Sequence, residues 1–148
     1  RVFEILSTAT VAKSAAEAKE LLFIRPDDGI TMNRARLLAD AKARALAMAE
    51  GYTPPAPREY TLPGPSGRAA MDMAVQSFRK LGTATPYDQV VAGALAQVLS
   101  GGHTDPTQVL GEAELLELER REFSRLVRQP GTISRIESIV LTGRPLRN

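Results

Sequence analysis

Cysteine and tryptophan are absent from this chain, and histidine occurs once, at His103. Without cysteine there is no disulfide framework and no thiolate metal site, which suits a reducing compartment, so a cytoplasmic location is expected. No apolar run approaches the roughly 20 residues needed to cross a bilayer, so no membrane span is expected. The start does not fit a signal peptide, because Arg1 is followed by Glu4, Ser7, Thr8 and Thr10 and not by an uninterrupted apolar core. A surplus of one charge sign is also missing. The pI is near 9.2, yet 19 basic residues face 17 acidic ones for a net charge of +2. Bases alternate with acids, as in Arg36–Asp40–Arg44 and Glu117–Arg121. Salt-laced helix surfaces have this pattern, whereas a phosphate-binding face gathers Lys and Arg, so no nucleic-acid partner is expected.

What is present is helical periodicity. With 148 residues, 43% apolar and 24% charged, the chain can build one ordinary domain or two small helical units. It opens at Arg1, without an initiator Met and already inside an amphipathic segment, which leads us to expect a piece of a longer protein. A short helix is expected over residues 1–9. Ser14-Ala-Ala-Glu17 is a capping box opening a second helix with Ala18, Leu21 and Leu22 inward, and Arg25-Pro26-Asp27-Asp28-Gly29 breaks it. From Asn33 a long helix runs to about Glu50 with Leu38, Ala41, Ala45 and Met48 as its buried stripe, and Gly51 ends it. Five prolines in residues 53–65 favour an extended strap or linker, with Tyr60 and Leu62 as anchors. After Ser66 a helix to Leu81 is expected to bury Ala70, Met73, Ala74 and Phe78. Thr85-Pro86-Tyr87-Asp88 opens the next, with Val91, Ala94, Leu95, Val98 and Leu99 inward. A charged helix follows from Glu112, with Leu115, Leu116, Phe123, Leu126 and Val127 as its apolar side, and Thr132 caps a last helix through Ile136, Ile139 and Val140. The expected fold is all-α, with seven helices. It divides into residues 1–52, the Pro-rich 53–65 and residues 66–148.

Few of the residues are suited to catalysis. His103 with Asp105 as orienter is a formal acid–base candidate, but both sit in a polar turn, Gly101-Gly102-His103-Thr104-Asp105, that favours solvation. Glu117, Glu119 and Glu122 are carboxylates on a helix whose Arg120, Arg121 and Arg125 favour ion pairing, and no His follows at ligand spacing. Asp27 and Asp28 before Gly29 lack the remaining oxygen ligands of a calcium loop. Pro63-Gly64-Pro65-Ser66-Gly67-Arg68 precedes a helix but has neither the Lys nor the preceding strand of a phosphate loop. Arg144 and Arg147, beside a helix end, are the pair suited to clamping a phosphate, with solvated tail arginines the favoured reading. No metal site and no catalytic residue is expected within the chain.

Two stretches resemble a known family. Val2 to about Pro55 places Ser14-Ala-Ala-Glu17-Ala18-Lys19, a breaker at Asp27-Asp28 and the helix Arg36-Leu37-Leu38-Ala39-Asp40-Ala41-Lys42 in succession. This is similar to the part of the crotonase (enoyl-CoA hydratase/isomerase) superfamily that follows its active-site core. The run from Leu115-Leu116-Glu117-Leu118-Glu119-Arg120-Arg121-Glu122-Phe123 to the ending Thr142-Gly143-Arg144-Pro145-Leu146-Arg147-Asn148 resembles the C-terminus of bacterial fused 3-hydroxyacyl-CoA dehydrogenases that end in a crotonase-like module. The two cover about two thirds of the chain, and residues 66–110 look like a helical elaboration. The resemblance implies a parent enzyme of fatty-acid β-oxidation that uses NAD and acyl-CoA, with its acid–base groups and oxyanion donors upstream of Arg1. This segment would then carry no cofactor and no catalysis, serving packing, assembly and acyl-CoA enclosure. Its partner would be the remainder of the parent polypeptide, and apolar faces near residues 1–24 would self-associate once that partner is removed. In crotonases a late basic residue meets a CoA phosphate. Here the family's aromatic position falls on Ile139 and its basic position on Thr142, which leaves Arg144 as the nearest substitute and Arg147 beside it. The competing expectation is a free-standing helical interaction module.

Overall fold

The computed structural model describes residues 1–148 and is all-α apart from one two-stranded ribbon. The chain forms two compact units, one of Arg1–Ala9 with Pro57–Asn148 and the other of Thr10–Ala56. The expected seven helices are α1 (Val2–Ser7), α2 (Ala15–Glu20), α3 (Leu37–Ala49), α4 (Gly64–Lys80), α5 (Pro86–Leu99), α6 (Glu112–Leu126) and α7 (Pro130–Thr142). The ribbon pairs β1 (Glu59–Thr61) antiparallel with β2 (Val109–Gly111), Tyr60 opposite Leu110. At three residues each, these strands are too short to show an alternating pattern, which is why the sequence gives no sign of them. The end of the Pro-rich stretch is therefore paired backbone, with Tyr60 and Leu62 half-buried.

The larger unit is organised around α5, which packs against α1, α4 and α6. Ala92, Ala94 and Ala96 are its buried residues, because small side chains let several helices approach one axis closely. The expected inward set Val91, Leu95, Val98 and Leu99 is half-buried, and Ala94 is fully so. Beyond α5, Ser100, Gly101 and Gly102 are buried, and both glycines take positive φ. Gly101 N–H bonds to Val98 O at 3.0 Å and Gly102 N–H to Gln97 O at 2.9 Å, closing the helix with a Schellman motif. A side chain at Gly101 would run into Thr104, Leu110 and Leu62, so glycine there is also a packing requirement.

Three helix faces in this unit differ from the sequence expectation. In α4 the expected Ala70 and Met73 are exposed, and Val75 is buried in their place. The inward face is rotated because Arg68 and Asp72 lie on it: Arg68 bonds Gln97 of α5 and pairs with Asp72 at 3.6 Å. Charged residues on an inner face mask the apolar stripe. In α6, Leu116 and Phe123 are exposed, while Leu115, Leu118 and Leu126 are half-buried. In α7, Ile136, Ile139 and Val140 are exposed, and the N-cap is Gln129, not Thr132. Pro130 starts that helix, where its missing N–H costs nothing, and Thr132 lies inside it.

In the smaller unit, Ser14 Oγ accepts from Glu17 N–H at 3.1 Å, as the capping box requires, and Glu17 reaches back to Lys13 N–H. α2 ends in a Schellman motif with Phe23 N–H on Ala18 O at 2.9 Å and Leu22 N–H on Lys19 O at 3.1 Å. Leu22 occupies the left-handed position at φ 63° and is exposed, not inward. α3 is preceded by one 3-10 turn, Arg34–Arg36, capped by Asn33 Oδ1. No residue of α3 is buried: the expected stripe of Leu38, Ala41, Ala45 and Met48 is open. The total accessible area is 11088 Å². Two separately compact units of these sizes would expose about 8,800 Å² by the usual mass scaling.

Candidate functional site

The densest polar cluster of the molecule lies where the C-terminal tail meets the start of α5. Local sequence builds its base. Thr85 Oγ1 accepts from Asp88 N–H at 3.1 Å, and Asp88 Oδ2 accepts from Thr85 N–H at 2.8 Å, a reciprocal capping box with Pro86 in the first turn. A carboxylate at this position also faces the positive end of the helix. Tertiary structure adds the rest. Arg135 of α7 donates to Asp88 Oδ1 at 2.7 Å and, through Nε, to Asn148 Oδ1 at 2.8 Å. Its guanidinium lies 5.0 Å from the centroid of the Tyr87 ring, a cation–π arrangement. Tyr87 and Thr132 share a hydroxyl hydrogen bond at 2.8 Å. Asn148 Nδ2 donates to Gly131 O at 3.2 Å, and Tyr87 N–H donates to Asn148 O at 3.3 Å. Gly131 is required for this packing: a Cβ there would sit 2.4 Å from the Tyr87 ring.

Partial burial pushes the Asp88 carboxyl up. The Thr85 backbone N–H, the Arg135 guanidinium and the Thr85 hydroxyl together outweigh that and hold it below its ordinary value of 3.8. The anion at the start of α5 is thus the chain's own.

Arg144 and Arg147 are placed differently. Arg147 donates to Thr83 O at 2.8 Å and lies 3.7 Å from Asp88 Oδ2, so its guanidinium already serves the tail clasp. Arg144 is exposed, and its hydrogen bonds are main-chain ones, from Ser138 Oγ to its carbonyl and from its N–H to Thr142 Oγ1. The two arginines do not meet on a common partner. The remaining candidates stay apart as well. His103 is exposed, and Asp105 turns to the backbone N–H and hydroxyl of Thr107, which hold its carboxyl below the usual range. Glu117 pairs with Arg120 and Glu122 with Arg125 within α6. Beside them runs a shallow open groove of about 500 Å³ among Arg120, Arg121, Arg125 and Arg128. Asp28 accepts from Arg25 N–H and closes its own turn. At the start of α4, Gly64 N–H is spent on Ser100 O at 2.8 Å, and a Cβ at Gly64 would collide with Thr104 O. No three His, Asp or Glu side chains gather at metal-binding spacing.

Sequence reasoning found Thr85, Asp88 and Arg147 but missed Arg135 and Asn148 as partners. Arg135 lies 47 residues from Asp88. No periodicity or local motif reports such a pairing.

Comparison with known proteins gives one informative similarity. No protein-family model and no solved structure matches the chain. The chain is 32% identical, over 149 aligned positions, to a protein of Bacillus subtilis (strain 168) described as a probable 3-hydroxyacyl-CoA dehydrogenase. The alignment takes in 100% of this chain and 19% of that protein, so the chain spans about a fifth of the length of the curated relative it matches.

Proposed function

We propose that these residues are the C-terminal helical segment of a 3-hydroxyacyl-CoA dehydrogenase that also carries a crotonase-like hydratase/isomerase module, a cytoplasmic enzyme of fatty-acid β-oxidation. The observation that carries this reading is the end-to-end similarity to part of a much longer dehydrogenase. The ending Thr142-Gly143-Arg144-Pro145-Leu146-Arg147-Asn148 supports the crotonase-like half of it.

Within such an enzyme the segment contributes packing, assembly and enclosure of the acyl-CoA, not chemistry. Its titratable groups are ion-paired on helix surfaces or solvated in turns, as His103 and Glu122 are. NAD would be held by the parent: the one glycine-containing helix start here has its Gly64 donor already bonded to Ser100 and its approach blocked by Thr104, so it does not fit a pyrophosphate. Arg144 is the guanidinium free to meet a CoA phosphate, and Arg147 positions the tail that presents it.

Peptide mapping of the endogenous polypeptide by mass spectrometry tests this. Peptides upstream of Arg1 containing a glycine-rich dinucleotide fingerprint and a crotonase core are expected. A mature polypeptide beginning within a few residues of Arg1 would refute it and leave a free-standing interaction module. Enoyl-CoA hydration by the 148 residues alone, near the roughly 10 s⁻¹ of a typical enzyme, would equally overturn the non-catalytic assignment. In the intact enzyme, Arg144→Ala should raise KM for acyl-CoA and leave kcat unchanged.

A further inference from the structure

α3 is amphipathic, but it is attached by the wrong side. Its polar edge carries Asp40 and Arg44, and these are the residues that hold it to its own unit. Asp40 Oδ2 accepts from Thr31 Oγ1 at 3.0 Å, Arg44 donates to Asp27 O at 3.1 Å, and Arg36 pairs with Asp40 at 3.6 Å. Around the rest of the helix, Leu37, Leu38, Ala41, Ala45, Met48 and Ala49 fall within one arc of about 120° at 100° per residue. All six are exposed, Leu38 to 82% and Met48 to 62%. A helix of this length is marginal in water without tertiary packing, since isolated helices need about 12–15 residues even with favourable sequences. A 13-residue helix tethered through its charges, with its apolar arc open, is built to receive something on that arc.

We infer that the apolar arc of α3 is the docking surface for the upstream part of the parent polypeptide, and that the occupant is an apolar helical surface. This rests on the reading of the chain as a segment of a longer enzyme. The relative is about five times as long as the stretch it shares with this chain, so most of such a polypeptide is available as occupant. The quantity of uncovered surface agrees. The excess over two compact units is about 2,300 Å², within the 2,000–5,000 Å² typical of permanent interfaces and well above the roughly 1,000 Å² minimum. The chemistry of the arc specifies the occupant further. Ala41, Ala45 and Ala49 form a shallow floor between Leu38 and Met48, which lets a helix ridge approach to about 8 Å between axes.

Met48 is a built-in reporter, because thioether oxidation follows exposure. Peroxide oxidation read by mass spectrometry should modify Met48 quickly in the 148-residue chain and on the order of tenfold more slowly in the intact endogenous polypeptide. Leu38→Glu in the intact polypeptide should restore fast oxidation, while in the 148-residue chain it should change neither helicity nor urea midpoint. A longer polypeptide in which Met48 still oxidises fast would overturn this inference and leave the proposed function standing. Absence of any upstream polypeptide would overturn both. Protection of Met48 in the 148-residue chain that grows with protein concentration would assign the arc to a second copy, and would also overturn the inference.

Discussion

α3 and α5 are nearly the same length and equally rich in alanine, yet every residue of α3 but Asp40 is exposed, while α5 carries three of the five buried apolar residues of the chain. Composition therefore does not decide burial. α5 has neighbours on several sides: α1, α4 and α6 pack on it, and its first turn is clasped by the C-terminal tail. α3 has one 3-10 turn and a few polar tethers. Alanine allows close approach; whether anything approaches is set by the rest of the chain.

The contrast can be broken most forcefully by size. Ala96→Leu, at a position with no exposure, should cost about 2–3 kcal/mol by overpacking. The same change at exposed Ala45 in α3 should stay within about 0.5 kcal/mol. Urea midpoints of the two variants in the 148-residue chain measure the difference directly, and equal losses would show α3 to be packed as α5 is.

Next in size is the clasp that α5 has and α3 lacks. Asp88→Asn leaves a capping side chain but removes the charge that faces Arg135 and Arg147, and should cost about 1 kcal/mol at neutral pH. Because the folded carboxyl titrates below 3.8, its contribution is fully present above that value and is lost as pH falls through the lower, folded one. The stability gap between the wild type and Asp88→Asn should therefore narrow as pH drops below 3.8, by thermal melts across that range. A gap independent of pH would mean that the charge contributes nothing. Asn148→Ala removes the acceptor for Arg135 Nε and the donor to Gly131 O, and should cost about 1 kcal/mol. Hydrogen exchange should then quicken in the first turn of α7, and an unchanged rate there would show the tail to be ornamental.

The smallest effect sharpens the comparison from the other unit. Three helices end in Schellman motifs, after Leu21, Leu81 and Ser100, and their left-handed positions are filled by Leu22, Gly82 and Gly101. Only the smaller unit places a branched side chain there, at a conformational cost glycine avoids. Leu22→Gly should stabilise the unit by about 0.5–1 kcal/mol, visible as a higher urea midpoint. A loss of stability would show that the exposed Leu22 side chain contributes packing.

Much of the local structure was legible because its causes are local. The caps at Ser14 and Thr85, Pro86 and Pro130 in first turns, and glycines at Gly51, Gly82 and Gly143 act through bonds within a few residues, so the helices and most of their ends follow from the chain order of these residues. The inward faces were less legible wherever a polar residue takes an interior position. Arg68 and Asp72 turn the face of α4, and Thr132 serves Tyr87 inside α7 when local pattern made it a cap. In the tail, Arg147 could be singled out as a cation, but its engagement with Thr83 and Asp88 depends on residues about 60 positions away.

What the sequence determined by itself, then, was the set of helices and their terminations, since hydrogen-bond closure and backbone freedom at a cap are properties of neighbouring residues. Only the tertiary structure decided which alanine-rich helix is core and which is open. It also decided that Asp88, Arg135 and Asn148 form one clasp. Burial and long-range pairing depend on which surfaces meet, and the apolar periodicity of a helix is the same whether or not its partner is present.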